Sequence, residues 1–525
     1  MAIRTDIIRV YKDVHGWVGI CSGIALFIAF YAGALTMFED VIQRWASPPP
    51  ALAAAPSLER SPELIAKVLE AHPEAARSFD VHVALGPEQP ARLSWTVGDA
   101  EHGPASTFYA SLDTDGALQV AEQGPSGVAQ WIDVLHQQVG LPFPHEIAMP
   151  IMGVVALLYA MALVSGVIIL LPSLIKDLFA VRIGRNVKRM WLDIHNVLGL
   201  FSLPFHIVMA LSAIVFAFHD QFYMAQGAVA PPPAREARAG GSPAPEARAA
   251  LSPAEIVARL QRQAPGFEPL TLGFQKGPRG ESVRVTGRDT RYPMRGATFG
   301  VAVVDPYSGA IKSSDYMPGL QSAGFAVLSS FFALHFGNFG GPLVQWSYFL
   351  LGLGGAFLFY TGNLLWIESR RRRERKAGPV AQSRSTRVLA GLTVCSSLGC
   401  VAGISVTLAA AKILPLFGAA TTGWHQILYY APFLAMTAWA VHRGAARSSA
   451  PLMRAAALAC LAVPAASALA LIGIGWNHGG ATWWIDITAV AGAVLLFYLA
   501  PRAAQRAAAA PKDSVWSAEA SAQAA

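Results

Sequence analysis

Two histidines occupy equivalent places in a repeat within the chain. Residues 11–20 (Tyr-Lys-Asp-Val-His-Gly-Trp-Val-Gly-Ile) align with residues 191–200 (Trp-Leu-Asp-Ile-His-Asn-Val-Leu-Gly-Leu), and both contain Asp-x-His-x-x-x-Gly with His15 opposite His195. Each segment opens a long apolar run. Ionisable side chains in membrane helices are costly and usually face a protein interior, so each one indicates a functional site. The repeat therefore makes His15 and His195 candidate ligands.

A second, weaker repeat adds one histidine to each half of the sequence. Val-Leu-His136 aligns with Ala-Leu-His335, and each is followed by a stretch with Gly and Pro and then by an apolar run. Parallel repeats in membrane proteins are commonly related by an axis along the membrane normal. Such an axis would pair His15 with His195 at one depth and His136 with His335 at another.

Paired imidazoles across an axis suit the two axial positions of a haem iron, which neutral nitrogen ligands fill well. A structural zinc would need four close ligands, and no carboxylate or thiolate cluster accompanies these histidines. The cysteines lie inside predicted spans without a CxxC motif, so we expect buried small side chains and neither a disulfide nor a thiolate metal site. They are Cys21, Cys395, Cys400 and Cys460. The predicted metal is haem iron.

His206 is a further candidate for one axial position of a haem iron. It lies eleven residues after His195, so on a straight helix the two side chains would project from one face, about 16 Å apart along the axis. It would then serve the second haem, with His335 or His136 as its partner. The alternative rests on the neighbouring Pro204, which frees a backbone carbonyl that the His206 ring could satisfy.

Asp13 and Asp193 lie two residues before their histidines in the repeat. Positions i and i+2 are on different helix faces, which disfavours direct orientation of the rings by these carboxylates; contact with a loop arginine is the alternative. The other histidines lack ligand spacing, and we expect them at surfaces or interfaces. They are His72, His82, His102, His145, His219, His425, His442 and His478.

Membrane spans must position the histidines. The 525 residues are 54% apolar and only 14% charged, whereas about a quarter of the residues in soluble domains are charged. Eight apolar stretches have the length that crosses a bilayer. They run over 16–38, 147–171, 195–218, 343–366, 386–410, 424–441, 452–475 and 483–500. The net charge of +7 arises from basic residues in alternate loops, which indicates an inner-membrane protein with both termini cytoplasmic and no nucleic-acid partner.

Two long segments between spans have soluble α+β patterning, each with an amphipathic helix, alternating strands and an Asp/Gly turn. The predicted fold is a polytopic α-helical membrane protein, with a pseudo-symmetric four-helix haem-binding core, two small periplasmic modules and about four additional C-terminal spans. Its parts are 1–38 (first span), 39–146 (module 1), 147–218 (spans 2 and 3), 219–342 (linker at 225–252 and module 2), 343–376 (span 4 and a basic loop), 377–502 (spans 5–8) and 503–525 (flexible tail).

The segment from Asp193 to His206 (Asp-Ile-His-Asn-Val-Leu-Gly-Leu-Phe-Ser-Leu-Pro-Phe-His) and His15-Gly-Trp-Val-Gly resemble the PepSY-associated transmembrane family, over roughly residues 8–370. The two modules look like PepSY domains, with the Asp-Pro-Tyr-Ser-Gly turn at 305–309. The family includes inner-membrane ferric-siderophore reductases whose helices bind two b-type haems. The resemblance implies electron transfer across the membrane to a ferric siderophore, or a similar ferric chelate, in the periplasm, with release of Fe(II).

Two other functions fit the same sequence. One is a non-enzymatic binding protein whose PepSY-like modules engage a peptide, a protease or a siderophore; the other is a permease component. The four C-terminal spans have no counterpart in the four-helix core, and they could bind quinol, recruit a donor or stabilise the bundle. Gly352-Leu-Gly-Gly355 lies within a span, which indicates helix packing and not a nucleotide site. The electron donor is therefore expected to be separate, either quinol or a cytoplasmic reductase.

Overall fold

The computed structural model divides the chain into two compact units. A helical unit comprises Met1–Ala46, Ser126–His219 and Trp346–Ala525, and a sheet unit comprises Ser47–Pro125 and Asp220–Gln345. The structure describes residues 5–47, 52–86, 89–98, 105–123, 126–174, 187–222, 224, 249–277, 280–296, 298–375, 382–417, 421–473, 482–511 and 514–519. The predicted linker residues 225–248, the histidines His102 and His478, and the end of the predicted tail lie outside the described residues.

Long apolar helices dominate the helical unit, because a backbone in lipid must satisfy its hydrogen bonds within each segment. In chain order the α-helices of the described residues are α1 Thr5–Thr36, α2 Glu39–Ala46, α3 Ser61–Ala71, α4 Val128–Gln137, α5 His145–Leu170, α6 Val187–Phe201, α7 Leu203–Ala217, α8 Pro253–Gln263, α9 Ala323–Phe336, α10 Gly341–Arg375, α11 Arg384–Ala411, α12 Thr421–Arg443, α13 Ala445–Leu471 and α14 Trp484–Ala509.

Six helical segments among the described residues are long and apolar enough to cross a membrane. They are Asp6–Thr36, His145–Leu170, Asn338–Glu374, Arg384–Ala411, Ala445–Leu471 and Trp484–Ala509. The pair α6 and α7 makes a seventh span if it is counted as one. Within the described residues, six or seven of the eight predicted spans therefore meet this criterion. The remaining stretch, 424–441, lies in α12, whose Trp424, His425, Tyr429 and Tyr430 lower its hydropathy.

The predicted third span is broken. Helices α6 and α7 meet at an angle of 70°, with Ser202 between them and Pro204 in the first turn of α7. Proline has no N–H for the preceding turn and disfavours helical backbone at the residue before it, so the helix is interrupted here. The straight-helix projection of His195 and His206 is therefore wrong, because the two histidines lie on different sides of the bend.

One antiparallel sheet joins the two segments that the sequence suggested as separate modules. Its strands are β1 Ser78–His82, β2 Leu93–Gly98, β3 Ala105–Leu112, β4 Leu118–Glu122, β5 Glu268–Gly277, β6 Gly280–Arg288, β7 Gly300–Val304 and β8 Ile311–Tyr316, in the order β4-β3-β2-β1-β5-β6-β7-β8. The pairing of β1 with β5 sets Asp80 opposite Gly273. It leaves neither strand as an exposed edge, which is why the modules merge.

The expected Asp/Gly turns form as predicted. Asp113 Oδ1 accepts hydrogen bonds from the backbone of Asp115 and Ala117, at 3.0 and 2.7 Å. Asp305 Oδ1 likewise accepts from the backbone of Tyr307 and Ser308, at 2.9 and 2.8 Å. Each carboxylate closes a turn between two strands of its module.

His82 is buried in the sheet unit, so its prediction as a surface residue was wrong. Its Nε2 lies 2.8 Å from Ser94 Oγ, and its Nδ1 lies 3.4 Å from Thr271 Oγ1 on β5. Burial, together with the nearby Arg92 guanidinium, lowers the pKa of His82 to about 4. The ring is therefore neutral in the folded sheet at neutral pH.

Lowering the pH is expected to loosen the central strands through His82. His82 takes up a proton near pH 6.5 in the unfolded state but only near pH 4 in the folded state. Its contribution to the free energy of unfolding is therefore fully present above pH 6.5 and decreases as the pH falls toward 4, by about 2 kcal/mol at pH 5. Hydrogen exchange of β1 in the full-length protein, corrected for intrinsic rates, should accelerate from pH 7 to pH 5. The acceleration should be smaller in His82→Gln and unchanged in the control His72→Gln. Equal acceleration in both variants would contradict the role of His82.

The described part of the predicted flexible tail, residues 503–511 and 514–519, has defined structure. Helix α14 continues to Ala509, beyond the expected span end at residue 500. Val515 is buried in a core cluster with residues of α11 and α13, and the Ala518 N–H donates to the Ala507 carbonyl at 3.0 Å. Residues 514–519 therefore pack against the helical unit.

Candidate functional site

The structure brings His15 and His195 together. His15 lies on α1 and His195 on α6, and their ring centroids are 6.3 Å apart with an interplanar angle of 78°. An imidazole nitrogen binds a metal ion at about 2 Å and lies about 1 Å from its own ring centre, so two rings on opposite sides of one ion would have centroids about 6 Å apart. The observed separation matches this value.

Each of these histidines forms a hydrogen bond through Nδ1 with a later membrane helix of its own half, α5 for His15 and α10 for His195. His15 Nδ1 lies 2.9 Å from the Ala162 carbonyl and 3.2 Å from Ser165 Oγ, both on α5. Because a carbonyl only accepts hydrogen bonds, His15 Nδ1 carries the proton. Its Nε2 keeps a lone pair, as expected when a metal-binding histidine donates its other N–H to a neighbour.

His195 has the equivalent arrangement on α10. Its Nδ1 lies 3.1 Å from Thr361 Oγ1, whose own proton is donated to the Leu358 carbonyl at 2.9 Å. Thr361 Oγ1 therefore accepts from His195 Nδ1, and the lone pair of His195 is again on Nε2. The two histidines together present neutral nitrogen donors that could hold a metal ion from two sides.

A Ser/Thr-Gly pair belongs to the repeat, and sequence reasoning missed it. Ser165-Gly166 on α5 faces His15, and Thr361-Gly362 on α10 faces His195. A Cβ atom built on Gly166 would lie 3.1 Å from His15 Cε1, and one on Gly362 would lie 3.4 Å from His195 Cε1. The glycines admit the rings, and the hydroxyls orient them. The same dipeptide type in spans 2 and 4 was the available signal.

His206 lies in a separate, fully buried environment on α7. Its Nδ1 is 2.5 Å from Tyr159 Oη on α5, and its Nε2 has no hydrogen-bond partner. The rings of Phe30, Phe205 and Phe359 surround it at centroid distances of 5.5 to 6.2 Å. A buried polar atom without a partner costs about 1–3 kcal/mol. The alternative role for this ring, satisfying a carbonyl freed by Pro204, is not seen, since Nδ1 bonds Tyr159.

His136 and His206 contact neighbouring residues of α1. His136, on α4, donates from Nδ1 to the Ala29 carbonyl at 2.8 Å, and His206 packs on Phe30. Consecutive helical residues differ in height by 1.5 Å, so both histidines contact α1 at one level. Along the continuous α1, Phe30 lies fifteen residues from His15, about 22 Å along the axis. The helical unit thus has histidines at two levels.

His335 belongs to the sheet unit. It lies in the last turn of α9, with its ring centroid 5.5 Å from that of Phe336. The pairing of His335 with His136 stays a prediction.

Both repeat carboxylates lie near arginines, but these arginines belong to helices α6 and α10 and not to loops as predicted. Asp193 is buried and pairs with Arg189 Nε at 3.0 Å, one turn earlier on α6. Asp13 lies 3.8 Å from Arg373, in the basic segment that ends α10. The rings of His15 and His195 are oriented by α5 and α10 instead.

The remaining described histidines and cysteines mostly match expectation. His145, His219 and His442 are exposed and His72 is partly exposed, but His425 is only 1% exposed, so its prediction as an interfacial residue was wrong. Cys21 is exposed on α1, so its prediction as a buried side chain was wrong, whereas Cys395, Cys400 and Cys460 are buried as expected; all four are free thiols. Within the described ranges, no group of three or more His, Cys, Asp or Glu side chains could hold a metal ion.

Comparison with known proteins identifies one family. The family model described as "PepSY-associated TM region" matches residues 13–369, more than half of the chain and all the histidines considered above as ligands. No curated protein matches the sequence.

Proposed function

Because the chain belongs to the PepSY-associated TM region family, we propose that it is a di-haem membrane oxidoreductase that reduces a ferric siderophore or similar ferric chelate. The observation that carries the proposal is the facing pair His15 and His195, 6.3 Å apart between ring centroids. When bound, each haem b would supply a one-electron Fe(III)/Fe(II) couple. The side chains hold and orient the group and exclude water.

The donor set fits haem at the first level. His15 and His195 supply two neutral nitrogens, their Nδ1 atoms are engaged by α5 and α10, and glycines stand where larger side chains would push the rings. Such outer hydrogen bonds fix the tautomer and increase the basicity of the ligand. A metal ion in a planar macrocycle requires only two further ligands, so the pair suffices without a third donor.

The second haem is assigned to His206 and His136. His206 Nε2 is buried and unpartnered, and His136 contacts α1 at the same level. Unsatisfied buried nitrogens are rare in folded proteins, so the unpartnered His206 Nε2 is a candidate ligand atom. His335 remains the competing partner for this level, because the sequence repeat pairs it with His136.

The reaction needs one electron for each iron. The ferric chelate accepts an electron and becomes a ferrous chelate, and Fe(II) is released because the chelator binds Fe(II) more weakly than Fe(III). The charge distribution supports an inner-membrane location, with the His15/His195 level near the cytoplasm and the sheet unit in the periplasm. Electrons would enter from a separate donor, either quinol or a cytoplasmic reductase, and leave at the second level.

In this proposal the C-terminal helices α11 and α12 stabilise the positions of α1 and α4. Ile28 and Ala32 of α1 share a buried cluster with Ile404 of α11, Tyr429 of α12 and Trp131 of α4. Tyr430 Oη also donates to the Gly140 carbonyl, just after α4, at 3.3 Å. These contacts fix α1 and α4, which carry His15 and His136.

Substituting Gly166 should weaken the first haem site more than the equivalent change at Gly362. In Gly166→Ala the new methyl group meets His15 Cε1 at 3.1 Å and must displace the ring, whereas Gly362→Ala makes an ordinary contact at 3.4 Å. Loss of ligand orientation typically costs about 10–100-fold in metal affinity. Haem retention during dilution should therefore fall in Gly166→Ala and change little in Gly362→Ala. The reverse order would contradict the geometry.

The proposed reaction can be tested by electron counting. The purified holoprotein is reduced anaerobically with limiting dithionite, and a ferric hydroxamate or catecholate chelate is then added with a ferrous-specific dye. We expect haem reoxidation and one Fe(II) captured for each electron lost. Haems that stay reduced would rule out ferric-chelate reduction, and a protein without chromophore would favour the binding-protein alternative.

A further inference from the structure

Tyr159 forms a buried contact with His206 that has no counterpart at the first level. Tyr159 is 2% exposed and His206 is fully buried, and Tyr159 Oη lies 2.5 Å from His206 Nδ1. The partners of His15 and His195 are instead a backbone carbonyl and a threonine hydroxyl. The two levels share a carbonyl partner, Ala162 for His15 and Ala29 for His136. They differ in the hydroxyl beside the other histidine, which is a threonine at His195 and a buried phenol at His206.

Only one proton arrangement allows His206 to bind a metal ion through Nε2. If the phenol donated to Nδ1, the proton of the neutral ring would lie on Nε2 and block it. Donation from Nδ1 to Tyr159 Oη leaves the Nε2 lone pair free. The unpartnered Nε2 is consistent with this second arrangement, in which Tyr159 fixes both the tautomer and the direction of the ring.

A phenol oxygen is a weaker acceptor than an aliphatic hydroxyl, since its lone pair is delocalised into the ring. His206 therefore gains less basicity from Tyr159 than His195 does from Thr361, and a less basic ligand stabilises ferric iron less. The surroundings act in the same direction. Phe30, Phe205 and Phe359 bury His206 completely, whereas His15, His136 and His195 are each partly exposed. An apolar environment disfavours the extra charge of ferric haem.

We propose that Tyr159 is a positioning residue that holds His206 as an axial ligand, and that the His206 level has the higher reduction potential of the two. This inference rests on the proposed function. The potential difference makes electron flow from the His15/His195 level to the His206 level favourable, so direction is built into the hydrogen-bond partners of the ligands. Tyr159 itself neither binds the metal ion nor contacts the substrate.

Redox potentiometry of the purified holoprotein tests the proposal. The wild type should titrate in two components, one for each haem. In His15→Ala the component of lower reduction potential should be missing. Tyr159→Phe keeps the ring but removes the acceptor, so only the higher component should move, further upward. The matched control Thr361→Val removes the acceptor of His195 and should move only the lower component.

Several outcomes would overturn it. If His15→Ala removed the higher component, the predicted order would be wrong. If Tyr159→Phe left both components unchanged, or shifted both equally, Tyr159 would not act through His206. Loss of the His206-level haem alone in Tyr159→Phe would support the positioning role, and the order would still be decided by His15→Ala. A wild type with no haem would refute the proposed function itself, whereas two haems with an unchanged Tyr159→Phe would refute only this inference.

Discussion

His15→Ala and His195→Ala are each expected to lower the haem content of the purified protein from two per chain to one, and to remove the same haem. The two rings face each other at 6.3 Å between centroids, so either change leaves the iron with one axial ligand. Even changes to groups that only orient a ligand cost about 10–100-fold in metal affinity, and loss of the ligand itself should cost more. Reduction of a ferric chelate by a donor at this end should fall accordingly.

The measurement is the molar ratio of haem to protein, determined by the pyridine haemochrome assay. The optical spectrum then shows which haem remains. His145→Ala and His442→Ala are matched controls, because both side chains are exposed at the ends of helices. The double variant His15→Ala/His195→Ala should retain one haem, as each single variant does. Retention of both haems in either single variant, or loss of different haems in the two, would refute the pair.

The second large effect is expected at the other level. His206→Ala should remove the second haem and leave the His15/His195 haem unchanged in spectrum and potential, because His206 lies in its own aromatic environment beyond the bend at Ser202. His136→Ala should remove the same haem, since His136 contacts α1 beside Phe30, which packs on His206.

His335→Ala separates the two possible pairings of the second level. The shared level on α1 predicts that this variant keeps both haems, whereas the sequence repeat predicts that it loses one. If His335→Ala lost a haem while His206→Ala kept two, the pairing of His136 with His335 would stand and the role given to His206 would be wrong.

Features that depend on local sequence pattern could be predicted from the sequence alone. The alignment of residues 11–20 with 191–200 predicted that His15 and His195 come together, and apolar length located the helices that carry them. The family resemblance was confirmed over residues 13–369. These features could be predicted because a membrane helix is apolar over the length that crosses the bilayer, and a repeat places equivalent side chains at equivalent positions.

Features that depend on contacts between distant residues could not be predicted in this way. Pro204 was noted, but only three-dimensional packing decides whether a proline kinks a helix or breaks it by 70°. The 2.5 Å contact of Tyr159 with His206 joins residues 47 apart, and no local spacing indicates it. The pairing of β1 with β5 likewise joins strands almost two hundred residues apart, so the two modules were expected as separate bodies.

The central claim is that this chain holds two haems between its histidine-bearing helices, and the direct test is one determination of haem per protein with its reduced-minus-oxidised spectrum. The protein is purified in mild detergent from cells supplied with excess haem precursor. The account predicts two b-type haems per folded chain. A folded, monodisperse protein without absorbing cofactor under these conditions would contradict it.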